Sequence, residues 1–145
     1  MIQAPDGSTA TYDAEQTRQF YANPSVLDNC ECDGCKNYRA AWKPEFFPSD
    51  LLETCTEIGI DPAKAFETTG MYTSGDLVQY SGELPFYGSI LEEHRISDTF
   101  YPWLFLSRPF GTAAFSMGLV AIEFFVGLPW VLSELNPYTD FRQPH

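Results

Sequence analysis

The sequence predicts an α+β fold in which N-terminal helices pack on a mostly antiparallel sheet of about four or five strands. Apolar residues recur at helical spacing through the first half of the chain and alternate with a period of two from about residue 70. The chain has 145 residues, of which 44% are hydrophobic and 16% aromatic. This length and composition are sufficient for one domain with its own core.

Two short helices are predicted before residue 45. The first is the segment DAEQTRQFY, in which Asp13 and Gln16 have the spacing of a capping box. The second, CKNYRAAW, places Cys35, Tyr38 and Trp42 on one face, so we expect the Cys35 side chain to point inward with the two rings. Asp33 is the expected cap of this second helix.

The third predicted helix is the segment SDLLETCTEI. Ser49 or Asp50 is its expected cap, and Gly59 is expected to end it in the left-handed conformation. The sequence Asp61-Pro62 then suggests a further helical turn, because proline is favoured at the first helical position. One face of the third helix carries an apolar stripe, made of Leu51, Leu52, Cys55 and Ile58.

The second half of the chain contains three segments with strand-like alternation: LVQYSGELPFYGSIL, TFYPWLFLS and LVAIEFFVGLPW. The third is the clearest, since Glu123 faces one side while the other side is apolar, with Val120, Ile122, Phe124, Val126 and Leu128. We therefore expect residues 1–145 to form a single domain. Its parts are a polar N-terminal segment (1–29), a helical part (30–68), a strand-rich part (70–135) and a tail (136–145).

The net charge narrows the classes of partner. Twenty acidic residues against eight basic ones give a formal charge of −12. Such a surface repels phosphate backbones and anionic lipids, which argues against nucleic-acid binding and against membrane binding. It favours a basic protein partner instead.

One long apolar segment, residues 111–132, has about the length that a bilayer requires. Glu123 lies near its centre, and three glycines and Pro129 interrupt it. We therefore interpret this segment as buried strand. The N-terminus also has no basic and apolar signal pattern, so we expect a cytoplasmic protein with reduced thiols.

Three cysteines in the segment DNCECDGCKNY form the candidate metal site. Cys32 and Cys35 have the two-residue spacing of a zinc knuckle, and Cys30 can add a third ligand. The fourth ligand would be Cys55 or His94, with the terminal His145 as a further option. Zn²⁺ is the cofactor that this pattern suggests.

Two other interpretations of the cysteines stay open. Cys32 at a helix N-terminus, with Cys35 one turn later, is also typical of a redox-active pair. Alternatively, Cys35 and Cys55 are small apolar core residues, while Cys30 and Cys32 lie in a loop. The segment before the cysteines is a poor strand, which argues against a thioredoxin-like arrangement.

Several segments together resemble a group of small uncharacterised bacterial proteins. They are CDGCKNYRAAW, with its C-x-x-C-x-N-aromatic pattern, the GIDP helix end, and LPWVL near the C-terminus. The resemblance covers most of residues 30–135, and Cys32 and Cys35 are the two cysteines that match the C-x-x-C pattern of the group. It implies a bacterial cytoplasmic protein, but it supplies no activity, cofactor or catalytic residue.

These features favour a non-enzymatic protein-binding module. No serine–histidine–aspartate arrangement, phosphate-binding loop or dinucleotide motif is present in the sequence. The alternative is a zinc-binding or thiol-dependent protein centred on Cys30, Cys32 and Cys35. A weaker alternative is a small-molecule binder that uses an aromatic face of the sheet.

Overall fold

A computed structural model describes residues 1–24, 30–94, 99–106 and 119–138 of the chain. The helices are α1 (Ala14–Ala22), α2 (Asp33–Ala41) and α3 (Ser49–Ile58), with a short 3₁₀ helix at Pro44–Phe46. The strands are β1 (Ile2–Gln3), β2 (Thr9–Tyr12), β3 (Phe66–Ser74), β4 (Leu77–Glu92), β5 (Trp103–Leu106) and β6 (Leu119–Pro129). The predicted α+β arrangement is confirmed.

The sheet is antiparallel at every described pairing. Its strand order is β1-β2-β4-β6-β5, and β3 pairs with the first half of β4. The long strand β4 is therefore central, with β3 and β2 along one edge and β6 along the other. The sheet has six described strands rather than four or five, because the polar N-terminal segment contributes β1 and β2.

The core lies between the helices and one face of the sheet. All five apolar residues predicted to share a face of β6, Val120 to Leu128, are buried there. Tyr38 of α2 packs edge-on against Tyr80, and Phe47 packs against Phe124. The aromatic sheet face is thus covered by helices, and the largest buried side chains of this core are Trp103, Tyr38, Tyr80, Phe66, Phe86 and Phe124.

Local signals in the sequence set several helix ends. Asp13 caps α1, accepting a hydrogen bond from the Gln16 amide at 3.0 Å, as the capping-box spacing predicts. Gly59 ends α3 with φ of 92°, a left-handed conformation that favours glycine.

Two local predictions were wrong. Pro48, without a side-chain hydrogen bond, precedes α3 in place of the predicted Ser49 or Asp50 cap. The Asp50 carboxylate accepts hydrogen bonds from the Leu51 amide and the Trp103 indole instead, which ties α3 to β5. Residues 61–64 form a turn and not a helical turn, and β3 begins at Phe66.

The long apolar segment is mostly strand where it is described. Residues 119–129 form β6, while residues 111–118 lie outside the described residues. Among the helices of the described residues, none has the length and apolarity needed to cross a membrane.

Candidate metal centre

Cys32 begins α2 as its N-cap residue. Its backbone is extended, and its sulfur accepts a hydrogen bond from the Cys35 amide at 3.4 Å. Serine, threonine, aspartate and asparagine normally supply this interaction. Because Cys32 supplies it here, the prediction that Asp33 caps the helix was wrong. Asp33 is instead the first helical residue, one position further along. The cap fixes the Cys32 sulfur above the first turn of α2.

The sulfur atoms of Cys30, Cys32 and Cys35 converge at this helix start. All three lie within 4.8 Å of one another. The Cys30 thiol donates a hydrogen bond to the Cys32 sulfur at 3.3 Å. Cys30 and Cys32 are exposed, whereas Cys35 is buried. We call these three side chains the sulfur cluster.

The dimensions of the sulfur cluster suit a thiolate-bound metal ion. Zn–S bonds of about 2.3 Å in a tetrahedron place the sulfurs about 3.8 Å apart. The observed separations, from 3.3 Å to at most 4.8 Å, bracket that value. The three sulfurs are therefore already near the spacing that one ion requires.

Cys35 is held in place by β3. Its thiol donates to the Thr68 carbonyl at 3.8 Å, and the Thr68 hydroxyl donates to the Cys35 sulfur at 3.6 Å. Thr68 falls within an irregularity of the β3–β4 register, next to Glu67, whose φ is 51°. Such bulges re-aim a side chain, and here Thr68 faces α2. Cys35 is only 6% exposed, as predicted, but it lies outside the hydrophobic core cluster.

The protein environment shifts the pKa values of Cys32 and Cys35 in opposite directions. The hydrogen bond from the Cys35 amide lowers the pKa of Cys32 from its ordinary value, with a further contribution from Cys30. Burial raises the pKa of Cys35 to about 12. Because metal ions bind thiolates, loading the cluster would release the Cys35 proton.

Arg39 steadies the chain leading into the cluster. Its guanidinium donates a hydrogen bond of 2.8 Å to the Cys30 carbonyl, and it lies 4.0 Å from the Glu31 carboxylate. The ion pair is exposed and long, so the shorter, charge-assisted hydrogen bond to the backbone is the better-defined contact. Arg39 thereby links the segment before α2 to the second turn of that helix.

Asn37 fastens α2 to the sheet from the buried side. Its amide donates to the Tyr80 hydroxyl at 3.2 Å and to the Pro129 carbonyl at 3.0 Å. Its carbonyl accepts from the Val131 amide at 2.7 Å. The side chain is fully buried, so these three partners replace water. The asparagine of the C-x-x-C-x-N pattern is therefore a structural residue in this fold.

Tyr138 closes one side of the sulfur cluster, and no pattern in the sequence indicates this position. Its ring fits against Gly34 and Gly70, where a Cβ atom on either glycine would overlap the phenol. Burial, together with the charges of Cys32 and Cys35, raises the pKa of Tyr138. The Thr73 hydroxyl donates to the Tyr138 carbonyl at 3.0 Å, which anchors the backbone to β3. Tyr138 thus belongs to the wall of the site.

The predicted fourth ligands lie elsewhere. Cys55 is 0% exposed within the core, where burial raises its pKa to about 12. His94 follows β4 at the end opposite to Tyr80 and contacts Glu92 at 3.1 Å. His145 lies outside the described residues. Within residues 1–24, 30–94, 99–106 and 119–138, no further histidine, cysteine or acidic ligand atom joins the cluster.

The sheet face that points away from the helices carries acidic side chains. Glu83 of β4 is directly opposite Glu123 of β6, and both line a cavity of about 210 Å³. Glu67 lines the same cavity from β3. Glu83 and Glu67 each take part in a further interaction, so neither residue is without a partner.

No protein-family model, curated protein or solved structure matches the chain. The chemistry of the sulfur cluster is therefore the basis on which a function is assigned.

Proposed function

We propose that the protein binds one soft metal ion, with Zn²⁺ as the reference ion, through Cys30, Cys32 and Cys35. The observation that carries the proposal is the convergence of three sulfurs within 4.8 Å on a folded helix start. Thiolates are the preferred ligands of Zn²⁺ and Cu⁺ among protein side chains. The side chains of Cys30 and Cys32 are exposed, so an ion from solution can reach their sulfur atoms.

The arrangement supports an exchangeable ion more than a structural one. All three ligands come from a single stretch of six residues, so the ion would not join distant parts of the fold. Structural zinc sites usually have four protein ligands, whereas sites that react or exchange keep one position open. In the sulfur cluster, water or an external ligand would complete the coordination from the exposed side.

The direct test is a Zn²⁺ competition titration of reduced protein against a chromophoric chelator. We expect one Zn²⁺ per chain for the wild type. Replacing any one of the three cysteines by serine should weaken binding by about 100-fold, because a ligand is lost. Wild-type protein that takes up less than one equivalent under these conditions would overturn the proposal.

His94→Ala is the matched control, because His94 is an exposed potential ligand outside the cluster. Its affinity for Zn²⁺ should equal that of the wild type. A large loss in this variant would restore His94 as the fourth ligand and require a different arrangement of the site.

We also propose that the protein binds a basic protein partner in a bacterial cytoplasm. The charge of −12 supports it, and so do the exposed apolar side chains of Met71, Tyr72 and Leu77 around the β3–β4 hairpin. Polylysine binding at low and high salt tests the charge component. Tyr72→Ser should weaken binding to a protein partner that contacts the apolar side chains, but should leave polylysine binding unchanged. Absence of any salt-sensitive binding would contradict this role.

A further inference from the structure

Two of the three sulfurs are arranged differently from the third. The Cys30 and Cys32 sulfurs are in contact at 3.3 Å, and both side chains are exposed. A disulfide bond is about 2.05 Å long, so the two sulfurs need to approach by only about 1.3 Å. Cys30 precedes α2 in chain without regular secondary structure, which allows such a shift.

Cys35 is less accessible for the same reaction. Its side chain is buried and its sulfur is engaged by both the carbonyl and the hydroxyl of Thr68. Its backbone lies in the first turn of α2, and its amide donates the hydrogen bond that the Cys32 sulfur accepts as the helix cap. A bond from Cys32 to Cys35 would therefore break contacts that a bond from Cys32 to Cys30 preserves.

We propose that Cys30 and Cys32 form a reversible disulfide by exchange with a low-molecular-weight disulfide, and that this oxidation releases the metal ion. The reactive pair is thus C-x-C and not the C-x-x-C pair that the sequence suggests. The first half concerns the thiols alone. The second half, metal release, rests on the proposed function.

The exchange balances in two steps. The Cys32 thiolate attacks one sulfur of the external disulfide, forming a mixed disulfide and expelling one thiolate. The Cys30 thiolate then attacks the Cys32 sulfur, forming the intramolecular disulfide and expelling the second external thiolate. The protein loses two electrons and two protons, and the external disulfide becomes two thiols. Only the Cys35 sulfur then remains as a thiol ligand in the cluster.

The thiol half is tested on reduced, metal-free protein incubated with glutathione disulfide and analysed by mass spectrometry. Wild type and Cys35→Ser should both lose two hydrogen atoms. Cys30→Ser should stop at the mixed disulfide on Cys32, with intramolecular disulfide reduced about tenfold or more. Intramolecular disulfide that persists in Cys30→Ser, or is lost in Cys35→Ser, would show that Cys35 belongs to the reactive pair and overturn the proposal.

The metal half is tested by adding glutathione disulfide to Zn²⁺-loaded wild type in the presence of a zinc indicator. One Zn²⁺ per chain should be released as the disulfide forms, and a thiol reductant should restore binding. Disulfide formation without release would overturn the coupling. Protein that never binds Zn²⁺ would refute the proposed function and the coupling together, while the metal-free experiment would still decide the thiol half.

Discussion

The start of α2 and the middle of α3 contain the same side chain in opposite environments. At the start of α2, Cys32 caps the helix and its sulfur is exposed beside two others. In α3, Cys55 lies on the apolar stripe between Leu51 and Ile58 and is 0% exposed. Helix position therefore decides the role of each cysteine: one can act as a ligand and nucleophile, while the other fills the core.

Thiol labelling should show the largest difference between the two regions. In native, metal-free protein, Cys32 should react with an alkylating agent about 1,000-fold or more faster than Cys55, because Cys55 requires opening of the core. Site-resolved mass spectrometry after timed labelling measures both rates. Equal rates would contradict the assigned burial of Cys55.

The pH dependence of the same experiment tests the helix cap. Only the thiolate reacts, and the pKa of Cys32 is lowered. Its labelling rate should therefore rise with pH and level off below the pKa of an unperturbed cysteine in a short reference peptide. Labelling that levels off only above that value would show that the Cys35 amide does not stabilise the thiolate.

Paired substitutions should separate ligand from core. Cys32→Ser retains a good helix cap, so the metal-free protein should unfold with unchanged free energy while Zn²⁺ affinity falls about 100-fold. Cys55→Ala should do the reverse, lowering the free energy of unfolding by about 1–2 kcal/mol with Zn²⁺ affinity unchanged. Chelator competition and urea denaturation measure the two quantities. A Cys55→Ala variant that is fully folded but no longer binds Zn²⁺ would contradict the assignment of Cys55 to the core and not to the metal site.

In the α2 region, the buried hydrogen bonds of Asn37 add to the apolar contacts that hold the helix on the sheet. Asn37→Ala should lower the free energy of unfolding by about 2 kcal/mol, because it leaves the Pro129 carbonyl and the Val131 amide without their partner. The neighbouring Lys36 is exposed on the same helix, so Lys36→Ala is the control and should change little. Similar values for both variants would show that Asn37 does not fasten α2.

The smallest expected effect concerns the contact between Gly34 and Tyr138. Gly34→Ala should cost about 1 kcal/mol, because the new methyl group displaces the phenol. Tyr138→Ala should remove that penalty when the two substitutions are combined, which a double-mutant cycle in urea measures. Strictly additive effects would show that the two residues are not coupled.

Much of the fold follows from local patterns in the sequence. The Asp13 cap, the Gly59 helix end and the apolar face of β6 are all as predicted, because each depends on short-range periodicity or backbone conformation. Strands β1 and β2 were less evident because they have two and four residues and include polar positions.

The candidate site was only partly predictable. Its three cysteines are close in sequence, so their grouping was evident, but Cys32 as the cap was not, because sulfur rarely takes that place. Thr68 and Tyr138 reach the site through tertiary packing, which leaves no periodic signal. The absence of Cys55 from the cluster follows from the apolar stripe of α3, which the sequence did show.

Cobalt titration reports directly on whether Cys30, Cys32 and Cys35 bind one metal ion. Thiolate ligands give Co²⁺ a charge-transfer absorption whose intensity increases with their number. We expect saturation at one Co²⁺ per chain, with the absorption intensity of three thiolates. That intensity should fall by about one third in each of Cys30→Ser, Cys32→Ser and Cys35→Ser, and stay unchanged in Cys55→Ala. A spectrum without charge transfer, or one that depends on Cys55, would contradict a metal site at the start of α2.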